Sequence, residues 1–268
     1  LDVSQEFAAS VAPGQQIVLR DSEFVAIAQM TVESCWQPDK VVEAQQVYGT
    51  RNAAHPGVDH VLHRSGPVYL GGALHKIELP THHDYRQHRH SPDELQRYFH
   101  KLGWQRVAGF HTHRVMHRAE HDLVAGIVRD LAANLLIHPT LGVIPPSRLD
   151  HFTRIRCYER MLAEYSEQTT CLSLINLAVY GAGPREALWH ALIRRQYGCT
   201  HFIISDVYAD PLSGEYDRAA MLALADRYGA NLGIALVVAE SVRYVPERVQ
   251  YLPVSQISSG THSLALTD

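Results

Sequence analysis

The sequence lacks the features that mark several large classes of protein. It has no apolar run approaching the ~20 residues that span a bilayer, and no signal-peptide pattern opens it. Its net charge of −4 is not the basic balance typical of nucleic-acid-binding proteins. Its four cysteines are far apart and form no CxxC pair, so we expect free thiols in a reducing, cytoplasmic compartment. We therefore expect neither membrane nor nucleic acid among the partners.

The composition is that of a globular protein with room for two cores, since 46% of the 268 residues are hydrophobic and 19% are charged. Residues 1–100 lack long helical periodicity and are predicted to form a small β domain. Ser91 is expected to cap a helix close to its end. The strands predicted in this β domain are 16–21, 24–32, 68–70 and 75–79. Gly71 and Gly72 are interpreted as a turn between the last two strands.

Residues 101–240 alternate between short apolar strands and helical patterns, which favours an α/β domain with a mostly parallel, doubly wound sheet. The helical patterns include one from Leu123 to Leu135, one from Arg185 to Tyr197 and one from Tyr216 to Tyr228 that Gly229 would close. Residues 241–268 are interpreted as a tail or linker. The predicted strands are 107–110, 135–137, 172–175, 201–204 and 232–238.

The segment 107–123 is the most informative part of the chain. A short strand is followed by a turn rich in histidine and arginine and then by an amphipathic helix. In α/β proteins such a turn lies at the carboxyl edge of the sheet, where ligands bind. The start of the helix also offers unpaired N–H groups and a positive dipole end to an anion.

Blocks spread over nearly the whole chain resemble the ATP sulfurylase (sulfate adenylyltransferase) family. The resemblance implies a PUA-like β domain, incomplete at its start, followed by a Rossmann-like nucleotidyltransferase α/β domain. Family members transfer AMP from ATP to sulfate, usually with magnesium, and some are fused to adenylylsulfate kinase. The most distinctive block is Gly-Pro-Arg-Glu-Ala-Leu-Trp-His-Ala, and the blocks together are 1–3, 38–40, 55–58, 69–72, 138–142, 150–158, 172–174, 183–191 and 197–203.

The family's signature turn is Gln-x-Arg-Asn-Pro-x-His-x-x-His, in which the arginine and asparagine hold sulfate and the α-phosphate and the histidines grip ATP. In a gapless alignment His111 replaces the glutamine and Val115 the proline. His113 replaces the arginine and Arg114 the asparagine. His117 matches the first histidine, but Glu120 stands at the second. The resemblance therefore identifies these positions, but most of them carry residues whose chemistry differs from that of the family.

Two further family elements are also altered. The family's Gly-Arg-Asp-His-Ala-Gly loop corresponds to 205–210, where Ser205 replaces the first glycine and Asp206 the arginine. Tyr208 stands at the histidine and Asp210 at the last glycine. A third arginine, which the family supplies just before Gly-Pro-Arg-Glu-Ala, is Tyr180 here.

These substitutions predict a degenerate anion site. Two unit charges ~4 Å apart interact by about 4 kcal/mol at an effective dielectric near 20, so lost arginines and gained carboxylates both weaken anion binding. No residue is assigned a catalytic role: the family positions are His113, Arg114, His117, Glu120 and Tyr180. The candidate remnant of the nucleotide site is His111, Thr112, His117, Ser205 and Asp206. A metal site built from His111, His113, His117 and His121 with Glu120 is geometrically possible, but chance clustering among 18 histidines is the preferred interpretation.

The retained blocks are interpreted as carrying the fold. Asp150 is predicted to cap a helix, Gly183 and Pro184 to start one, and Trp189 to lie in the core. Arg185 and Glu186 are interpreted as an ion pair at a helix start. Arg154 and Arg156 are interpreted as structural, and the free cysteines as buried.

We therefore expect an ATP sulfurylase-like domain that is inactive or very weak, with a structural or regulatory role. It would be a homo-oligomer, with a fused or associated adenylylsulfate kinase as the expected partner, because the chain has the character of a segment of a longer polypeptide. The alternatives are an active sulfate adenylyltransferase that uses ATP and magnesium, with Arg114, His117 and His113 in its site, and an adenylyltransferase with a new acceptor.

Overall fold

The computed structural model describes residues 1–21, 23–142 and 150–264. Contacts divide the chain into two compact units, Leu1–Arg86 and Gln87–Asp268. The helix that Ser91 caps belongs to the second unit, because Leu95 and Phe99 are buried in the core of that unit. The structural boundary thus precedes residue 100, where the sequence pattern places the end of the β domain.

Within the described residues, the first unit contains a four-stranded antiparallel sheet in the order β1-β4-β3-β2. Met30, Val32 and Leu70 form its buried core. The predicted β domain at the start of the chain is therefore confirmed. Its elements in chain order are β1 (Asp2–Val3), α1 (Gln5–Ala9), β2 (Gln16–Arg20), β3 (Ala26–Trp36), α2 (Lys40–Tyr48), α3 (Pro56–Asp59), a π-helical turn (His60–Arg64) and β4 (Val68–Lys76).

The prediction of two strands at 68–70 and 75–79 is wrong, because β4 is one continuous strand. It pairs with β3 from Tyr69 to Lys76, across a register shift. Gly72 lies at that shift, where a Cβ atom would come within 1.9 Å of the Thr31 carbonyl oxygen. The glycine therefore permits close backbone approach within a strand and does not form a turn.

The second unit contains a parallel sheet whose neighbouring strands are separated along the chain by helices. Four of its strands are largely buried, as expected for a sheet covered on both faces, whereas the edge strand Ala235–Val238 is partly exposed. Its elements are α4 (Pro92–Lys101), β5 (Val107–Phe110), α5 (Arg118–Asp130), β6 (Asn134–Ile137), α6 (His151–Leu162), β7 (Thr170–Leu172), α7 (Gly183–Gln196), β8 (His201–Ile204), α8 (Arg218–Leu232), β9 (Ala235–Val238), β10 (Val242–Val245) and β11 (Gln250–Pro253).

Among the described residues this sheet has five strands in the order β7-β6-β5-β8-β9, and every neighbouring pair is parallel. The chain moves outward from β5 to β6 and β7, then returns to place β8 on the other side of β5. The direction of winding changes between β5 and β8, which makes the carboxyl ends of these two strands a topological switch point. The predicted parallel, doubly wound α/β domain is confirmed.

Some predicted element ends need correction. Helix α8 continues to Leu232 and ends at Gly233, which has a left-handed φ of 64°, so neither Gly229 as its end nor a strand from Leu232 is right. Strand β7 ends at Leu172, so the strand predicted at 172–175 is too long. Beyond Leu172 only an isolated bridge between Ile175 and Thr140 is present among the described residues. The expected tail contains the antiparallel hairpin of β10 and β11, and its residues 265–268 lie outside the described part.

The predicted caps are present, but the placement of Trp189 in the core is wrong. Asp150 accepts a hydrogen bond from the Thr153 N–H and so caps α6. Trp189 is 39% exposed, because α7 buries the opposite face, which carries His190 and Arg194. Of the four free cysteines, Cys171 and Cys199 are buried, Cys157 is half-buried and Cys35 is exposed, so the expectation of buried thiols is right for only two. Among the residues that the structure describes, no helix has both the length and the apolarity needed to cross a bilayer.

Candidate functional site

Two turns at the switch point carry most of the residues that the sequence singles out. The first, 111–117, follows β5, and the second begins at Ser205 after β8. Phe110 pairs with Ile203 across the parallel strands, so both chains leave the sheet side by side. The fold therefore brings together two segments that are about 90 residues apart along the chain.

Arg114 is held between two carboxylates. Its Nη2 lies 3.1 Å from Glu120 Oε1 and 2.5 Å from Asp206 Oδ1. Glu120 is only 3% exposed, and its Oε2 accepts a hydrogen bond of 3.1 Å from the His117 N–H. We call Arg114, Glu120 and Asp206 the ion triad. The charge of the Arg114 guanidinium is therefore balanced by the two carboxylates that bind it.

The rest of the first turn is fixed by hydrogen bonds to its backbone. Thr112 Oγ1 accepts from the Arg114 N–H and donates to the Arg114 carbonyl oxygen, at 3.2 and 2.9 Å. The Tyr158 hydroxyl donates to that same oxygen. Arg154 is buried and its Nη1 donates to the His113 carbonyl oxygen at 2.6 Å. The interpretation of Arg154 as structural is confirmed, and Thr112 holds the turn through its own hydroxyl.

His111 is an interior residue. It is 1% exposed, and its ring packs against His190 at a centroid distance of 4.6 Å and against Tyr208 at 5.4 Å. Arg194 Nη2 lies 3.3 Å from His111 Nδ1. Burial, followed by the positive charge of its neighbours, holds the pKa of His111 well below its usual value. A neutral, enclosed imidazole offers no charge to an incoming phosphate.

The remaining predicted positions lie around the two turns. His113 and His117 are half-buried, and His117 is the N-cap residue of α5. Ser205 is buried, and its Oγ has no hydrogen-bond partner among the described residues. Tyr180 is 45% exposed and packs edge-on against Trp189 at a centroid distance of 5.8 Å. The histidine-rich segment does not form a metal centre: no three His, Cys, Asp or Glu side chains in the described ranges are arranged to hold an ion.

A very small cavity lies beside the start of the second turn, and no residue of the first turn lines it. The cavity that Glu120, Ser205 and Asp206 line has a volume of about 10 Å³. One water molecule needs roughly 10–15 Å³. This cavity therefore cannot admit a phosphate group.

Sequence reasoning missed a buried polar face on α7. Glu186, His190 and Arg194 recur every four residues, and each is at most 4% exposed. Burial and the charge of Arg194 lower the pKa of His190 to about 2, and burial raises the pKa of Glu186. The sequence shows this spacing as a polar stripe at helical period, but such a stripe usually indicates a solvated helix face.

The expected ion pair of Arg185 with Glu186 is wrong. The buried Glu186 carboxylate accepts from the backbone N–H groups of Tyr180 and Ala182, at 2.7 and 3.0 Å. Its Oε1 also lies 3.7 Å from His190 Nε2. The carboxylate therefore ties the loop before α7 to the start of that helix.

Comparison with known families explains this architecture. A family model described as ATP-sulfurylase matches residues 86–264. The chain belongs to the ATP sulfurylase family. A second model, described as a PUA-like domain, matches residues 1–79 and confirms the PUA-like assignment of the first unit.

Relatives of the ATP sulfurylase family match the whole chain. It is 39% identical to the sulfate adenylyltransferase of Schizosaccharomyces pombe and 38% identical to that of Neurospora crassa, with 100% of the chain covered in both. It covers 56% and 48% of those proteins, so it spans about half the length of the curated relatives. A solved structure, the hexameric APS kinase from Thiobacillus denitrificans, matches with a TM-score of 0.74 at 24% identity, over 100% of this chain and 46% of that one. That likeness concerns the fold.

Proposed function

We propose that this chain is an ATP sulfurylase-like domain in which adenylyl transfer from ATP to sulfate is absent or very weak. The observation that carries the proposal is the ion triad. The cation gained at the signature turn, Arg114, is bound by Glu120 and Asp206 and is not available to phosphate or sulfate.

Electrostatic magnitudes support this proposal. At an effective dielectric near 20, charges 3.1 Å apart attract by about 5 kcal/mol before desolvation is counted. A phosphate oxygen would have to replace two such partners while being repelled by both carboxylates. Adenylyl transfer instead requires cations and N–H donors that are already aimed at the transferring group.

The other family positions do not compensate. The family arginines correspond to His113, Tyr180 and Asp206, and Tyr180 instead lies against Trp189. Magnesium, which the family usually requires with ATP, finds poor ligands at this turn, because the Glu120 and Asp206 carboxylates already bind Arg114. Each lost transition-state contact typically reduces the rate by about 10²–10³, so even two of the three losses predict at least a 10⁴-fold deficit.

The remaining role is structural or regulatory. We propose a cytoplasmic homo-oligomer that works beside an adenylylsulfate kinase, fused or associated. The hexameric APS kinase from Thiobacillus denitrificans shares this fold over the whole chain, and the four free cysteines suit a reducing compartment. If deletion of this region from the full-length polypeptide leaves a kinase fully assembled and fully active, the scaffold role fails.

The catalytic part of the proposal is tested by pyrophosphate-dependent formation of ATP from adenylylsulfate, with the S. pombe enzyme as reference. We expect a rate below about 10⁻⁴ of the reference. The alternative, an active sulfate adenylyltransferase, predicts clear turnover that His117→Ala abolishes. The matched control, His100→Ala on the exposed side of α4, should leave any turnover unchanged.

A further inference from the structure

A second cavity lies away from the ion triad, between α5 and α6. Its volume is about 790 Å³, within the 300–1,000 Å³ typical of small-molecule sites. Arg118 and His121 line it from α5, and Arg156 and Arg160 from α6. We call this space the arginine groove. It uses the face of α5 that does not carry the buried Glu120.

Two arginines of the groove stand one helical turn apart without counter-charges. In the described part of the chain neither Arg156 nor Arg160 forms an ion pair, and Arg156 donates only to the Thr153 hydroxyl, at 3.2 Å. Like charges at this spacing destabilise a helix. An anion lying between the two guanidiniums would reverse that repulsion.

The acidic side chains of the groove do not cancel this charge. Asp122 is already engaged, since its Oδ2 lies 4.0 Å from Arg118 Nε and its Oδ1 lies 3.0 Å from His121 Nδ1. Glu164 lines one end. The three guanidiniums therefore outnumber the two carboxylates, and one carboxylate is shared between Arg118 and His121.

Part of the groove lining is apolar. Met116 and Met161 line it, and thioether side chains adapt readily to flat rings. His121 Nε2 is shielded from solvent, and the His121 ring packs against Tyr165 at a centroid distance of 4.6 Å, so this nitrogen is not counted among the ligand-binding atoms of the groove.

We propose that the arginine groove binds a nucleoside di- or triphosphate, with its phosphates on Arg118, Arg156 and Arg160 and its base over Met116 and Met161. Three guanidiniums match a multiply charged phosphate group, for which arginine forms strong paired hydrogen bonds. The apolar part of the lining and the volume match a ring. This site does not depend on the proposed inactivity of the signature turn, because the two use different residues.

The test is titration calorimetry of the whole chain at low ionic strength with ADP, AMP, adenosine and pyrophosphate. We expect saturable binding of ADP that is tighter than that of AMP or pyrophosphate. The double variant Arg156→Gln/Arg160→Gln should weaken it at least tenfold, about 1.4 kcal/mol. A charge-matched control, Arg97→Gln/Arg227→Gln on the exposed faces of α4 and α8, should change it less than about twofold.

Four results would overturn the proposal. The first is no saturable heat with any of the four compounds. The second is an equal loss in the groove and control variants, which would indicate a general charge effect. The third is equal affinity for ADP and pyrophosphate, since the ring would then contribute nothing. The fourth is binding that His117→Ala abolishes and the groove variant retains, which would place the ligand at the signature turn and would also count against the inactive-site proposal.

Discussion

Replacing Arg114 by methionine should lower the free energy of unfolding by about 2–3 kcal/mol. The change leaves the Glu120 carboxylate, 3% exposed, without its cation. Removing one partner of a buried ion pair typically costs 3–5 kcal/mol. We expect a value at or below the lower end of that range, because the Arg114 side chain is 26% exposed and Glu120 keeps its bond to the His117 N–H. Asp206→Asn should cost only about 0.5–1 kcal/mol, since the Asp206 side chain is 33% exposed.

Urea unfolding monitored by circular dichroism measures these differences. A double-mutant cycle of Arg114→Met with Glu120→Gln should give a coupling energy of about 1–2 kcal/mol. Arg129→Met, near the exposed end of α5, is the matched control and should cost less than about 0.5 kcal/mol. If Arg114→Met costs no more than this control, the guanidinium is not held by the carboxylates, and the electrostatic argument against anion binding fails.

Three further predictions concern stability. The folded-state pKa values of His111, His138 and His190 are all lowered by burial, so below about pH 6.5 the unfolded chain takes up protons that the native state refuses. The free energy of unfolding should therefore fall as pH falls, by up to about 4 kcal/mol per pH unit for the three histidines together. In urea unfolding measured between about pH 7.5 and 5, His138→Gln should reduce that slope by about one third. A free energy that does not change with pH would contradict the buried, neutral state of these histidines. Glu186→Ala should lower the urea-unfolding free energy by about 2–4 kcal/mol, because two backbone N–H groups lose their acceptor, and an effect below about 0.5 kcal/mol would show that the bonds are replaced by water. Ser91→Ala should cost about 1 kcal/mol by the same assay through loss of the α4 capping box, and no change would refute that role.

The catalytic proposal and the groove proposal make separate predictions about nucleotides. An inactive turn with a functional groove gives a chain that binds ADP without making ATP from adenylylsulfate. An active enzyme with an empty groove gives the opposite result. Calorimetry and the ATP-forming assay therefore distinguish the two.

Local features of the sequence were sufficient for much of the fold. The strand at 107–110 and the strand at 201–204 were predicted with the bounds that the structure has, because each is a short apolar run between polar turns. Ser91 and Asp150 were predicted as caps because a capping side chain binds N–H groups within three residues. The family resemblance grouped positions of the first turn with Ser205 and Asp206, and the parallel pairing of β5 with β8 in the structure places both turns at one sheet edge.

Other properties depended on contacts between distant segments. Trp189 was placed in the core because it is large and apolar, whereas α7 turns its polar stripe inward toward Arg194 and the histidines. The burial of His111 against His190 and Tyr208 joins three separate elements, so no window of sequence contains it. The predicted ends of β4 and α8 are wrong because Gly71 and Gly72 are interpreted as a turn and Gly229 as a helix end, whereas the strand and the helix continue through them.

The amino-acid sequence by itself determined the family, the two-part architecture and the positions where the anion site has changed, because these depend on residue identity and local periodicity. Only the tertiary structure decided that Arg114 is neutralised, since Glu120 lies six residues away and Asp206 ninety-two. Charge at a turn can be counted along the chain. Whether that charge is free for a ligand depends on which carboxylates the fold brings within hydrogen-bond distance, and the strength of an ion pair is set by that distance and by the solvent that folding removes.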